Sequence, residues 1–238
     1  MFENLGRSAA EVVTIHRWGD EDFRQRVDAS ALADLNRLHP DRGLVFVTAH
    51  LGCWELLAAC AVRELDRKVS VVARAAVVQG LELLLARQRQ SVGVRVIHRG
   101  RSGRDLMRFL IGGGVLGILA DQDSKHGHGT IVDFFGRPAL TALGPHQLAA
   151  RTGSVTVAGF IVREPDGKRH RILISPPIEP ARLPKSPEER EAAAREFTQR
   201  FTNEIEHIVR KYPDQWMWMN RRWKRGERAV REGWKPAR

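Results

Sequence analysis

The stretch TAHLGCWELL, residues 48–57, holds an imidazole and a carboxylate five positions apart. His50 follows the apolar run 44–47, and Glu55 lies beyond Gly52, where a strand can end and a helix can begin. A histidine beside a carboxylate is the arrangement of a general base and the partner that orients it. The pattern therefore predicts a catalytic pair of His50 and Glu55. The structural alternative is a core histidine satisfied by a nearby acid.

The segments around this stretch alternate between two periodicities. Short β-rich runs are separated by stretches in which apolar residues have helical spacing. The β-rich runs are 44–49, 69–73, 94–97 and 115–120, and the helical stretches are 53–66, 79–91 and 103–111. This alternation predicts an α/β fold, in which a single domain has a mostly parallel central sheet flanked by helices.

Polar residues follow all four of these predicted strands. His50 follows the first strand, Arg74 ends the second, His98 and Arg99 follow the third, and Asp121, Gln122 and Asp123 follow the fourth. In a parallel sheet, ligands bind at the carboxyl ends of the strands. The sequence therefore predicts one site at one edge of the sheet, built from these side chains.

Three further segments have clear patterns. Residues 2–17 carry apolar side chains on one helical face, and the runs 155–163 and 170–175 are two β segments joined by a turn. A serine–proline–glutamate start at Ser186 predicts a long helix that ends near Lys211. We find no internal repeat and no linker that would divide the chain.

The composition limits the classes of protein. A chain of 238 residues with 42% hydrophobic residues can bury a sizeable core. No apolar run approaches the roughly 20 residues of a membrane-spanning helix, and the first residues lack the pattern of a secretory signal. Cys53 and Cys60 would lie about 10 Å apart along one helix, too far for a disulfide. We therefore expect a reducing cytoplasm and no membrane span.

Positive charge is concentrated near the C-terminus. The net charge is +11, and residues 221–238 carry eight basic residues against two acidic ones, together with Trp223 and Trp234. Tryptophan among arginine and lysine favours an anionic membrane surface, where each basic residue gains about 1 kcal/mol. Binding to RNA by stacking and phosphate contacts, or a solvated tail without a partner, are the alternatives. We divide the chain into a domain, 1–225, and a basic, Trp-containing tail, 226–238.

Other chemistries have weaker signals. Asp121, Asp123, His126 and His128 are metal-ligating residue types, but their spacing matches no zinc or EF-hand pattern. No G-x-S-x-G motif occurs. Cys53 could act as a thiol nucleophile, although a packing role is favoured. A metal-assisted hydrolase that uses the Asp/His cluster and a basic nucleic-acid-binding protein remain the alternative functions.

The sequence also resembles a known family. HLGCWE is similar to the H-x-G-N-W-E signature of the bacterial lipid A biosynthesis acyltransferases, the late lauroyl and myristoyl transferases of the lysophospholipid acyltransferase superfamily. Three longer stretches resemble the middle section, the acceptor-side loop and the C-terminal signature of that family. They are VGVRVIHRGRSGRDLMRFLIGGGVLGILADQD, VDFFGRPALTALGPHQLAARTG and YPDQWMWMNRRWK.

The resemblance implies a lysophospholipid acyltransferase-like fold and an O-acyltransferase. A fatty acyl group would pass from acyl carrier protein or from coenzyme A to a hydroxyl of a lipid A precursor or related glycolipid. His50 would be the general base and Glu55 its orienting acid, with no metal, no cofactor besides the acyl thioester, and no nucleic acid. Residues expected to contact the substrates are Leu51, Gly52, Arg74, Asp121, Gln122, Asp123, Thr141 and Gly144. Arg74 is expected to hold a phosphate.

Two departures from the family pattern bear on these expectations. Cys53 stands where the family usually has asparagine. The chain also begins without the hydrophobic anchor that usually precedes this region in the family. We therefore expect a peripheral protein at the cytoplasmic face of the inner membrane, attached through surface contacts.

Overall fold

The strands and helices follow the predicted alternation. The structure is a computed structural model, and it describes residues 1–38, 41–73, 79–98, 103–124, 129–180 and 184–233. The strands in this part of the chain are β1 (Val27–Asp28), β2 (Leu44–Thr48), β3 (Val69–Ala73), β4 (Arg95–His98), β5 (Val115–Leu119), β6 (Gly129–Phe134), β7 (Arg137–Ala142), β8 (Val155–Arg163) and β9 (His170–Ile174). The helices are α1 (Phe2–Thr14), α2 (Asp20–Arg26), α3 (Ser30–Leu38), α4 (Trp54–Glu64), α5 (Gln79–Ser91), α6 (Gly103–Ile111), α7 (Gly144–Thr152), α8 (Pro187–Lys211) and α9 (Lys224–Arg231), with 3₁₀ turns at Ile15–Arg17 and Pro213–Gln215.

Seven of these strands form the central sheet, in the order β1-β9-β8-β2-β5-β3-β4. Every neighbouring pair is parallel except β8 and β9, which form an antiparallel hairpin. Parallel strands need crossover connections, and the helices between β2 and β5 supply them. The predicted fold class, a mostly parallel sheet flanked by helices, is confirmed.

Strand β2 lies near the middle of the sheet and is buried on both faces. Val45 and Val47 belong to the core cluster that includes Phe201 and Ile205 of α8. Phe46 belongs to the cluster on the other face, which includes residues of α4. Successive side chains of a strand point to opposite faces, so a continuous apolar run such as LVFV can fill two cores.

The long helix α8 begins where the sequence predicted. The Ser186 side chain accepts a hydrogen bond from the Glu189 backbone N–H at 3.1 Å, and Pro187 occupies the first helical position. The helix ends at Lys211, two residues before Pro213. The capping prediction is therefore confirmed.

Two parts of the fold had no sequence prediction. Strands β6 and β7 form a separate antiparallel hairpin, and β1 pairs in parallel with β9 at the edge of the central sheet. At the hairpin turn, Phe135 and Gly136 both have positive φ, 59° and 71°, as a two-residue type I′ turn requires. The turn was missed because phenylalanine is rarely found at such a φ.

The segment predicted as a basic tail begins inside α9. Gly226 and Ala229 of this helix are buried, and α9 packs against β7. A Cβ on Gly226 would lie 2.3 Å from the Pro138 carbonyl oxygen, so glycine permits the close approach. The segment is therefore attached to the domain as far as the end of α9.

In the part of the chain that the structure describes, no helix is both long enough and apolar enough to cross a membrane.

Candidate active site

Neighbouring strands β2 and β5 place two polar residues side by side. Thr48 of β2 is paired with Leu119 of β5, and the Ala120 N–H donates to the Thr48 carbonyl at 3.0 Å. His50 and Asp121 lie two residues beyond Thr48 and Leu119, and they therefore leave the sheet at the same level. Nδ1 of the His50 imidazole lies 2.7 Å from Oδ1 of Asp121.

The Asp121 carboxylate is fully buried, and both of its oxygens accept hydrogen bonds. Besides the imidazole on Oδ1, Oδ2 accepts from the His50 backbone N–H at 2.9 Å and from the Trp216 indole N–H at 2.8 Å. Burial alone would raise the pKa of Asp121, but the charge of a protonated His50 and these hydrogen bonds lower it below its ordinary value. Asp121 is therefore an ionised carboxylate with a fixed orientation.

This carboxylate determines the tautomer of the imidazole. An ionised carboxylate only accepts hydrogen bonds, so Nδ1 of His50 must carry its proton and Nε2 must present a lone pair. The His50 side chain is 15% exposed, and Nε2 lies 3.4 Å from the amide nitrogen of Gln122. The Trp54 ring packs edge-on against the imidazole, with centroids 5.2 Å apart. An imidazole oriented at Nδ1, with the Nε2 lone pair facing the side-chain amide of Gln122, is the geometry of a general base.

Glu55 has a different partner from the one that the sequence predicted. Its two carboxylate oxygens accept from Arg89 of α5 at 2.9 and 2.5 Å, and both side chains are 14% exposed. One residue along a helix turns the side chain by about 100°, so Glu55 points away from the imidazole that Trp54 contacts. The orienting contact to His50 is thus made by Asp121, and the expected contact from Glu55 is corrected.

The loop that carries His50 is held by the C-terminal segment and by the sheet. The Met217 N–H donates to the His50 carbonyl at 2.9 Å, and the Gly52 N–H donates to the Gln215 carbonyl at 3.1 Å. Gly52 has φ of +60°, and a Cβ there would lie 2.0 Å from the Ile161 carbonyl oxygen. Leu51 is 1% exposed and lies in the core. Leu51 and Gly52 therefore fix the shape of the loop, and their contact with a substrate remains a prediction.

A buried arginine lies beside Asp121 and Asp123. Arg222 is 1% exposed, and its Nη2 donates to Oγ1 of Thr141 at 2.7 Å. Burial lowers the pKa of Arg222 to about 10, while the charges of the two aspartates act in the opposite direction. Among the described residues, Nε and Nη1 of this guanidinium have no hydrogen-bond partner. A positive charge is therefore held within the structure near Asp121, the carboxylate that contacts the His50 imidazole.

Three further residues were predicted to contact the substrates: Asp123, Thr141 and Gly144. Oδ2 of Asp123 accepts from the Arg225 backbone N–H at 3.0 Å, and burial raises the pKa of this carboxyl. Gly144 is the first residue of α7. Thr141, which binds Arg222, is fully buried. The roles of these three residues as substrate contacts remain predictions.

Aromatic rings connect this region to the C-terminal segment. The Phe134 ring contacts Trp216 and Trp223, with centroids 5.7 and 5.8 Å apart, and the Arg222 guanidinium lies 4.8 Å from its centroid. Trp218 packs against Trp216 at 4.6 Å and against Phe135 at 6.2 Å. Trp216, whose indole binds Asp121, is thus fixed by its neighbours.

Cys53 is buried, and its position agrees with packing. The side chain is 1% exposed, and burial raises the pKa of the thiol above its ordinary value. A thiol in this state is a poor nucleophile because the thiolate is the reactive form. Arg74, Arg99, His126, His128 and Trp234 lie outside the described residues, and within those residues no group of three or more His, Cys, Asp or Glu side chains could hold a metal ion.

Sequence reasoning missed three members of the site. It named Asp121 only as a substrate contact, and it gave no role to Trp216, Arg222 or Arg89. The order of the strands would have indicated Asp121, because β5 lies next to β2 and the end of β5 is therefore beside His50. No local pattern indicates the contacts of Trp216 or Arg222, which are 81 to 95 residues away from their partners.

The fold and the site define an α/β protein in which a histidine, oriented by a buried carboxylate, lies at the carboxyl edge of a parallel sheet. The family model described as bacterial lipid A biosynthesis acyltransferase matches residues 1–225, and the chain belongs to this family. It is therefore a transferase of acyl groups. A search of curated proteins gives no match.

Proposed function

We propose that the chain is an O-acyltransferase that moves a fatty acyl group from a carrier thioester to a hydroxyl of a lipid A precursor or a related glycolipid. The donor is acyl carrier protein or coenzyme A carrying the acyl chain, and no metal or further cofactor takes part. The reaction takes place at the cytoplasmic face of the inner membrane, where the protein is peripherally bound. The observation that carries the proposal is the imidazole of His50, which buried Asp121 holds at Nδ1 so that Nε2 carries the lone pair beside the Gln122 amide.

The chemistry needs one base and no protein nucleophile. The acceptor hydroxyl oxygen attacks the thioester carbonyl carbon while Nε2 of His50 takes the hydroxyl proton. The C–S bond then breaks, and the imidazolium returns the proton to the departing thiolate sulfur. Asp121 stabilises the imidazolium that forms in between, because its carboxylate already accepts a hydrogen bond from Nδ1–H.

Other residues have supporting roles in this proposal. Gln122 lies beside the reactive nitrogen and would contact the acceptor as it approaches. Arg74 would hold a phosphate of the acceptor or the carrier, since a guanidinium can bind phosphate through two hydrogen bonds. Glu55 contributes through Arg89, by fixing α5 to the first turn of α4 beside the His50 loop.

The test is acyl transfer by the purified chain in the presence of a chelator. A lipid A precursor is incubated with acyl carrier protein or coenzyme A thioesters, and mass spectrometry measures the gain of one acyl group. We expect transfer that is unaffected by chelation and reduced by about 10² to 10⁴-fold in His50→Ala. Loss of activity on chelation would favour the metal-assisted hydrolase. A salt-sensitive gel shift with RNA and no acyl transfer would favour nucleic-acid binding.

A further inference from the structure

We infer that one defined surface of the protein docks on an anionic lipid bilayer and brings the bilayer to His50. This docking surface consists of the exposed turn Trp218–Met219 and the outward side of α9. The inference rests on the proposed function, since it assumes that the acceptor is a lipid. It adds the part of the molecule that meets the membrane.

The apolar part of the docking surface is exposed and held in place. Trp218 is 43% exposed and Met219 is 56% exposed. The Trp218 indole N–H donates to the Pro213 carbonyl at 2.6 Å, and its ring packs on Trp216. Because these contacts already fix the ring, its insertion among headgroups costs little side-chain entropy.

The helix beside this turn presents a basic side to solvent. Gly226 and Ala229 of α9 face the protein, whereas the basic residues of the region are exposed. These exposed basic residues are Arg221, Lys224, Arg225, Arg228 and Arg231. Glu227 and Glu232, the acids of the same stretch, pair with Arg137 and Arg228. Val230, 54% exposed, adds an exposed apolar side chain to α9.

Both parts of the docking surface are attached directly to the candidate site. Met217, next to Trp218, donates its N–H to the His50 carbonyl at 2.9 Å. The first turn of α9 is bound to Asp123, two residues after Asp121, through the Arg225 N–H at 3.0 Å. A bilayer seated on this surface would therefore lie beside the imidazole, where the hydroxyl of a membrane lipid could reach Nε2.

The combination of side chains fits a headgroup interface better than a nucleic acid. Indole rings sit at the boundary between headgroups and acyl chains, and basic residues gain from anionic lipid. Nucleic acids bind basic surfaces through aromatic rings on which bases stack. Met219 and Val230 offer no ring for stacking, but both can enter the acyl region of a bilayer. An exposed apolar residue elsewhere, such as Ile111, lies near Arg108, whose charge pairs with Asp105, and single exposed apolar residues of this kind are ordinary.

The test measures sedimentation of the full chain with vesicles of phosphatidylcholine, with and without one quarter phosphatidylglycerol. Trp218→Ser with Met219→Ser should weaken partition about tenfold, because exposed apolar surface can no longer be buried. Lys224→Gln with Arg231→Gln should weaken binding to the anionic vesicles by about fivefold per charge, and added salt should remove this difference.

The matched control changes one apolar and one basic residue at the opposite edge of the sheet. Ile111→Ser with Arg108→Gln alters exposed side chains of α6 near the amino end of β5. Its binding should stay within about twofold of the unchanged protein. Should Trp218→Ser lower the melting temperature, Met219→Ser with Val230→Ser repeats the test, because both side chains are more than half exposed. Equal binding by the docking-surface variants and the unchanged protein, or an equal loss in the control, would overturn the inference.

Failure of this inference can be distinguished from failure of the proposed function. His50→Ala should abolish acyl transfer but bind vesicles like the unchanged protein. Acyl transfer by the unchanged protein together with indifferent vesicle binding in the docking-surface variants would refute the inference alone. Specific vesicle binding through this surface without acyl transfer to any lipid acceptor would refute the proposed function alone. An effect of these substitutions on RNA gel shifts and none on vesicles would assign the surface to nucleic acid.

Discussion

The imidazole of His50 can act as a base only in one tautomer, and Asp121 selects it. In Asp121→Asn, the amide oxygen would still accept from the His50 and Trp216 N–H groups, so the amide NH₂ would face Nδ1. Nδ1 would then have to accept, and the proton would move to Nε2, where the lone pair is needed. We expect the turnover rate to fall by about 10² to 10⁴-fold, measured by acyl transfer at saturating substrate. The exposed Asp133→Asn is the control, and a normal rate in Asp121→Asn would refute this role.

Glu55 is predicted to contribute less directly than Asp121. In Glu55→Gln the charge that binds Arg89 is lost, which weakens the contact between α4 and α5. We expect a loss of about 1–3 kcal/mol in unfolding free energy by urea denaturation, and a smaller fall in turnover than in Asp121→Asn. If Glu55→Gln instead slowed turnover as much as Asp121→Asn at unchanged stability, Glu55 would have a direct catalytic role.

Cys53 is predicted to be a packing residue only. Its thiol is buried and its pKa is raised by burial, so little thiolate is available to attack a thioester. Cys53→Ala and Cys53→Asn should retain most of the activity. Intact-mass spectra of the protein after incubation with the donor should show no added acyl group, and an acyl adduct lost in Cys53→Ala would contradict this.

At the scale of elements, helix α1 is bound to the β8–β9 hairpin by a buried charge cluster. Oε2 of Glu11 accepts from Arg163 at 2.8 Å, and Oε1 lies 2.9 Å from Nε2 of His170. Burial opposes ionisation, yet these partners lower the pKa of Glu11 from 4.5 to about 2. A carboxyl group whose pKa is lowered by folding stabilises the folded state at pH values above its pKa in the unfolded chain. This stabilisation is lost as the pH falls towards the pKa in the folded state.

The pH dependence of stability tests this cluster. Glu11→Gln should unfold more easily by about 1–3 kcal/mol at pH 7, as measured by urea denaturation. The difference from the unchanged protein should be full above about pH 4.5 and should shrink as the pH falls towards about 2. A difference that is constant across this range would show that the Glu11 charge is not the cause.

Most elements could be predicted because their signals are local. The strands and helices between residues 44 and 120 were predicted from runs and helical spacing, and the observed bounds differ by at most two residues. The β6–β7 hairpin was missed because its turn places Phe135 at a positive φ, against the usual preference. The pairing of β1 with β9 depends on contacts between distant segments, which no local pattern reveals.

The sequence predicted which residues lie together in the candidate site, but not which acid contacts His50. Polar residues at strand ends were expected to meet at one edge of the sheet, and His50 does lie beside Asp121 and Gln122. The choice of Glu55 as the orienting acid followed from closeness in sequence. Asp121 is 71 residues away from His50, and only the order of the strands brings the two together.

At the scale of the whole molecule, the basic C-terminal helix is connected to the candidate site. Half of the eight basic residues in 221–238 lie in α9, which is packed on β7 and attached to Asp123. Residues 215–217, which precede α9 in the chain, are hydrogen-bonded to the loop that carries His50. The C-terminal part of the chain therefore connects the basic surface with the candidate base.

The most direct test of this account is the acyl transfer rate of His50→Ala relative to the unchanged protein, with melting temperature measured on the same samples. A general base accounts for about 10² to 10⁴-fold, so the rate should fall by that factor while the melting temperature stays nearly the same. A structural histidine would lower the melting temperature first, and activity only in proportion to the unfolded fraction. Near-normal transfer by folded His50→Ala would contradict the account.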